Sequence, residues 1–189
     1  MKLDLRELLK EAPEGRHFAR LHSNPQSLVD DVVAFVEAGL IRGNAVIVIA
    51  SPASSSRYWR HLAQRGIDPR PSIDSGQLIV RDGDDLLCRF LRDGMPRWAD
   101  FHAAVGPVIL SAQTGRWKTT RVYGEMANDL WRAGHTAAAI RLEVFWNELA
   151  RLYRFSLLCC YALGGQDEAS YADAVKEIGR THLDIFPDT

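Results

Sequence analysis

Apolar positions along the chain follow two rhythms. Leu28, Val29, Val32, Phe35, Val36 and Leu40 recur at the spacing of one helix face, after an Asn24-Pro25 start and before Gly43. Residues 45–50 (AVIVIA) are instead unbroken and β-branched, as in a strand covered on both faces. The same contrast predicts strands at 17–22 (HFARLH), 77–81 (QLIVR), 121–123 (RVY) and 155–163 (FSLLCCYAL). Helices are predicted near 53–64, 84–91, 97–112, 126–133, 137–153 and 168–182. A short opening helix carries Leu3, Leu5, Leu8 and Leu9 and stops at Pro13 and Gly15. Strands separated by long helices predict a single α/β domain of three layers with a mainly parallel sheet. No internal repeat or linker interrupts the pattern.

Composition narrows the class without naming a chemistry. At 189 residues the chain makes one domain. Its 47% apolar and 25% charged residues exclude disorder. With 23 basic against 24 acidic residues, there is no global electrostatic reason to bind nucleic acid or an anionic membrane. Cys88, Cys159 and Cys160 are too few and too oddly placed for a disulfide framework, and neighbouring cysteines rarely bridge. The first residues alternate charge with leucine, unlike a signal peptide, and 155–163 is about half the length of a membrane-spanning helix. These features predict a cytoplasmic, bacterial-type protein with reduced thiols.

In such folds ligands sit beyond the carboxyl ends of the strands. The turn after the first strand, Leu21-His22-Ser23-Asn24-Pro25-Gln26-Ser27, lies where a phosphate loop would be but has no glycine and no lysine. Asp30 and Asp31 follow just inside the helix. The turn thus reads as a degenerate P-loop. Glu125 directly follows a strand, where a carboxylate can hold a metal, act as a base, bind a ligand amine, or merely cap the next helix. On the 137–153 helix, Leu142, Phe145, Trp146, Leu149 and Tyr153 share one stripe, with Glu143 and Asn147 on its flank. That pair is either the polar wall of a pocket or a satisfied boundary network. Met126, Trp131, Phe145 and Trp146 either fill the core or wall an apolar pocket.

His17 and His22 flank the first strand on opposite faces, which makes them poor partners for one metal. No other His, Cys, Asp or Glu grouping has a metal-ligand spacing, so neither metal nor cofactor is expected. Cys159 and Cys160, adjacent on a strand, are expected to face opposite sides as small core residues. A Gly-x-Ser-x-Gly nucleophile elbow is missing too.

Four segments in order resemble the MEDS domain, the sensory part of the dichloromethane-responsive regulator DcmR and of methanogen and methylotroph proteins. They are His17 with its strand, AGLIRGNAVIVIASP (38–52), VYGEMANDLWRAG (122–134), and AIRLEVFWNELAR with FSLLCCYAL (139–163). The resemblance implies a fold like RecA and the clock ATPase KaiC without a working P-loop, and a sensory module for small organic compounds. It divides the chain into an N-terminal helical extension (1–15), the MEDS-like domain (16–163), and a C-terminal helix and tail packed on it (164–189). The sequence departs from the family where the first strand ends: Leu21-His22-Ser23 replaces the usual aromatic pair with its acidic neighbour.

By motif position the expected ligand-binding residues are His17, His22, Glu125, Met126, Trp131, Glu143, Trp146, Asn147 and Tyr161. His22, Glu125, Glu143 and Trp146 would border a strand-end pocket. The function expected is a non-catalytic sensory or regulatory domain that binds a small organic ligand and signals through a protein partner or its own oligomer. The alternatives are a divergent RecA/KaiC-like nucleotide binder or slow ATPase, and an interaction module whose old nucleotide site is packed core. Catalysis by Glu125 and Glu143 as an acid/base pair lacks a nucleophile motif.

Overall fold

The computed structural model describes residues 4–164 and 167–187. Leu3 and the first and last residues of the expected extension and tail lie outside them. The opening helix α1 (Leu5–Glu11) starts at a capping box, with the Asp4 carboxylate accepting from the Glu7 N–H at 2.8 Å. Then follow β1 (His17–His22), α2 (Pro25–Ile41), β2 (Ala45–Ala50), α3 (Pro52–Gln64), α4 (Arg70–Asp74), β3 (Leu78–Asp82) and α5 (Gly83–Phe90). A hairpin of β4 (Leu91–Arg92) and β5 (Met95–Pro96) leads to α6 (Trp98–Gln113). The chain continues through β6 (Thr120–Gly124), α7 (Met126–Arg132), α8 (Thr136–Leu152), β7 (Ser156–Ala162), α9 (Glu168–Gly179) and β8 (Asp184–Phe186).

The main sheet runs β3-β2-β6-β7-β1-β8 and every neighbouring pair is parallel. It is the three-layer α/β fold that the strand–helix rhythm predicts. Alternation along the strands feeds two cores. Ala19, Leu21, Ile47, Ile49, Val122, Leu157 and Cys159 face α5 to α9. Phe18, Val46, Val48, Tyr123, Leu158 and Cys160 face α1 to α3. Cys159 and Cys160 thus point to opposite layers.

Three features depart from the sequence expectation. The hairpin at Asp93-Gly94 (φ 52° and 75°) is a tight turn that the helix pattern around it hides. Strand β8 is only three residues long and partly exposed, so it carries no hydrophobic run, yet it pairs with β1 at Phe18↔Asp184. The last helix stops at Gly179 rather than at 182. A Cβ at Gly179 would lie 3.0 Å from Ile185 Cδ1, so the glycine admits β8 against the helix end. The chain then folds back and buries His182.

Candidate functional site

Two polar sites stand out among the described residues, one beyond the strand ends and one within the α8–α9 layer. The first is a cavity of about 520 Å³ beyond the carboxyl ends of β1, β6 and β7, with α3 and α7 as walls. Its polar lining includes His22, Ser54, Arg57, Glu125, Asn128 and Arg132. Glu125 is placed by the exit of β6, where its N–H donates to the Ile49 carbonyl at 2.9 Å. Its carboxylate accepts from the Ser51 N–H at 3.1 Å, the Ser54 hydroxyl at 2.8 Å and the Tyr58 hydroxyl at 3.4 Å. One carboxylate therefore joins the starts of α3 and α7. Asn128 Oδ1 accepts from the Ala162 N–H at 2.9 Å, anchoring α7 to the end of β7.

Electrostatics around this cavity are set by burial. Burial and then the adjacent Glu125 push the Tyr58 phenol above its usual range, so it stays a neutral donor. On α7, burial, Glu125 and then Asp84 raise the Asp129 carboxyl to about 7, with Arg132 opposing. His22 sits at the cavity edge with Nδ1 2.9 Å from the Ser27 hydroxyl, which itself donates to the Asn24 carbonyl at 2.8 Å.

The second site is buried under α8 and α9. His17 Nε2, Glu143 Oε2, Cys159 Sγ and His182 Nε2 all lie within 4.8 Å of one another. His17 Nε2 is 3.1 Å from Glu143 Oε2 and 3.4 Å from Cys159 Sγ. Glu143 Oε1 accepts from the Tyr161 hydroxyl, and the Tyr161 ring meets the Trp131 ring edge-on with centroids 5.8 Å apart. Burial alone would raise the Glu143 carboxyl. The His182 and His17 imidazoles and the Tyr161 hydroxyl outweigh it and hold the group down to about 2. Burial and the neighbouring His17 lower His182 to about 4, against Glu143 and the Ile178 carbonyl.

The structure divides the nine sequence candidates. His22 and Glu125 line the strand-end cavity. His17, Glu143, Asn147, Tyr161 and Trp131 belong to the buried cluster. Met126 is fully buried against α5, where a Cβ on Gly83 would meet its side chain at 3.5 Å. Trp146 packs on Phe101 at 5.2 Å and against Gly124, a core role. The expected border of His22, Glu125, Glu143 and Trp146 is therefore not one pocket. Glu143 and Trp146 face the α8 layer, while Glu125 bonds to α3.

Several lining residues escaped the sequence reading. Ser54, Arg57 and Tyr58 fall within the helix predicted near 53–64, and Asn128 and Arg132 within that near 126–133, with no motif to single them out. Their signal was the strand-end rule, applied to β2 as well as to β1 and β6. The grouping of His17, Glu143, Cys159 and His182 corrects the expectation of no metal-ligand set. Sequence spacing cannot reveal donors brought together from β1, α8, β7 and the turn after α9.

Strand order and layers make this a RecA/KaiC-like α/β domain. The flagellar accessory protein FlaH from Methanocaldococcus jannaschii superposes with a TM-score of 0.56 over 98% of this chain and 78% of that one, at 10% identity. The chain belongs to the MEDS family, the methanogen/methylotroph, DcmR sensory domain, whose model matches residues 16–182. That match passes residue 163 and takes in α9 and His182. No curated protein sequence matches the chain. Among the described residues no helix is long and apolar enough to cross a membrane.

Proposed function

We propose that this MEDS domain is a non-catalytic sensor whose strand-end cavity binds a small organic ligand and signals through a protein partner or a second copy of itself. The observation that carries this reading is Glu125. It is a carboxylate on the wall of a cavity of about 520 Å³, held by donors from α3 at the very point where α7 begins. That volume is within the range of small-molecule sites. A ligand hydroxyl or amine that bonds Glu125 competes with Ser51 and Ser54, and so biases α3 against α7. Arg57 and Arg132 on the same wall suit an electronegative group at the other end of the ligand.

The fold keeps nucleotide binding as the second reading, and the turn after β1 argues against it. Pro25 has no N–H, and the Gln26 N–H is taken by the Asn24 side chain at 2.7 Å. Two of the backbone donors a phosphate would use at this helix start are thus missing or engaged. Neither nucleic acid nor a membrane has a matching basic surface in the charge balance.

The test is a thermal-shift and calorimetry screen of the chain against small alcohols, amines and halogenated compounds, and against ATP and GTP with magnesium. The sensor reading expects stabilisation by an organic compound, lost in Glu125→Ala. Stabilisation by magnesium nucleotide alone would transfer the cavity to the second reading.

A further inference from the structure

We propose that His17, Glu143, Cys159 and His182 form a buried binding site for a divalent transition metal of the zinc type. The site is separate from the strand-end cavity. It joins the start of β1, the middle of α8, the middle of β7 and the turn after α9.

Ring orientation is the first argument. Asn147 Nδ2 donates to the Thr181 carbonyl at 2.7 Å, which leaves its Oδ1 facing His17 Nδ1 at 2.9 Å. His17 Nδ1 must carry the proton, and Nε2 turns inward. In the same way His182 Nδ1 lies 2.8 Å from the Ile178 carbonyl, which can only accept. His182 Nε2 is then inward as well, fully buried and without a hydrogen-bond partner. An imidazole whose outer N–H is fixed by an amide or carbonyl oxygen while the other nitrogen points at a shared centre is the usual arrangement of a metal ligand.

The second argument is separation. Bond lengths of about 2.0–2.3 Å in a tetrahedron put donors roughly 3.3–3.7 Å apart. Four of the six edges measure 3.1 Å (His17 Nε2–Glu143 Oε2), 3.4 Å (His17 Nε2–Cys159 Sγ), 3.5 Å (Cys159 Sγ–Glu143 Oε2) and 3.6 Å (His182 Nε2–Glu143 Oε2). The two remaining edges, from His182 to His17 and to Cys159, are no longer than 4.8 Å, so the donors close on a metal by drawing in by up to about an ångström.

Charge is the third. A dication, the Glu143 carboxylate, the Cys159 thiolate and two neutral imidazoles sum to zero, which a dry interior accepts. On binding, the Cys159 thiol gives its proton to solvent and its sulfur bonds the metal. The mixture of nitrogen, sulfur and one oxygen favours zinc over the hard cations magnesium and calcium. With four protein ligands and no exposed position, the metal would act as a staple that holds the chain after α9 onto the sheet.

The chain purified under reducing conditions is expected to hold about one equivalent of zinc by mass spectrometry of the metal content, and to lose thermal stability on chelation. After chelation, cobalt(II) should restore stability and give a thiolate-to-cobalt charge-transfer band. That band should vanish in Cys159→Ser and persist in Cys160→Ser, whose sulfur faces the opposite core. A folded wild-type chain that takes up neither metal overturns the proposal, as does a band that survives Cys159→Ser. If Cys159→Ser does not fold, His182→Ala decides: cobalt affinity must fall at least roughly tenfold, and unchanged affinity rejects the site.

Discussion

The Ser54 hydroxyl donates to the Glu125 carboxylate at 2.8 Å, so the first turn of α3 is tied to the residue that precedes α7. Removing this carboxylate does two separable things. In Glu125→Ala, the Ser51 N–H and the Ser54 hydroxyl lose their acceptor, at a cost of about 1–3 kcal/mol in unfolding free energy. The same change empties the cavity wall of the group assigned to ligand binding. Glu125→Gln keeps an acceptor oxygen for one of the donors. It is expected to remain near wild-type stability by urea denaturation while ligand affinity, read by calorimetry, falls at least tenfold. Equal affinity in the folded Gln variant would remove Glu125 from the site.

How much of this was legible in the sequence depends on the range over which each signal acts. Ala45 to Ala50 and Ser156 to Ala162 read as strands because burial on both faces leaves an uninterrupted apolar run. Alternation alone places Cys159 and Cys160 in opposite cores. Strand β8 was illegible because it owes its existence to pairing with β1 and to Gly179, not to its own composition. Glu143 and Asn147 were legible as a polar pair beside a buried stripe. Their partners were not, since His17 precedes Glu143 by most of the chain and His182 follows a helix that ended sooner than its periodicity implies. The pocket border failed for a similar reason. Glu125 and Glu143 both sit near strand or helix landmarks, and only the sheet between them decides that they face different layers.

Gly39 is where α2 approaches the sheet most closely. A Cβ there would stand 2.6 Å from Val46 Cγ2 and 3.0 Å from Arg121 Cδ, neither of which has open space to enter. The usual gain from replacing a helical glycine by alanine is therefore reversed. Gly39→Ala is expected to destabilise by roughly 1–3 kcal/mol through overpacking, seen as a lower urea midpoint at unchanged slope. A stabilised variant would mean that α2 can move away from β2 without loss.

Arg121 is a buried cation that closes a helix rather than an ion pair. Its guanidinium donates to Asn44 Oδ1 at 2.8 Å, to the Leu9 carbonyl at 2.9 Å and to the Lys10 carbonyl at 2.7 Å. The last carbonyls of α1 have no intrahelical donors, and Arg121 supplies them. Burial and then the neighbouring Arg42 lower the guanidinium to about 10, still charged at neutral pH. Arg121→Met keeps most of the apolar stem but strands Asn44 Oδ1 and the Leu9 carbonyl, while the Lys10 carbonyl keeps the Arg42 Nε–H at 2.8 Å, and should cost about 2–3 kcal/mol. Hydrogen exchange should show the loss first at Ala12, whose N–H donates to the Leu8 carbonyl and closes the end of α1. Protection in α1 that is unchanged would show that the helix is held by Leu8 and Leu9 packing alone.

Asp129, on α7, gives the folding stability a pH-dependent contribution with a definite sign. Its carboxyl is raised to about 7 by burial, Glu125 and Asp84, whereas an unfolded aspartate titrates near ~3.9. The folded state therefore binds a proton that the unfolded state has released. Below about pH 4 both states are protonated and the group is neutral in the balance. As pH rises from about 4 to about 7 the unfolded chain ionises first, so the contribution of Asp129 to stability falls across that window and levels off above it, while His182, lowered to about 4, contributes a rise over much of the same range. Asp129→Asn keeps the size and removes the titration. Relative to wild type it should raise the urea midpoint progressively more as pH goes from about 4 to about 7, and so raise stability at neutral pH. Glu125→Gln should move the same profile part of the way, because it takes away the negative charge that, after burial, does most to raise Asp129. Only the difference between wild type and Asp129→Asn isolates the group, because His182, lowered to about 4, contributes in the opposite sense; a difference, wild type minus variant, that does not fall with pH through this window would contradict the assignment.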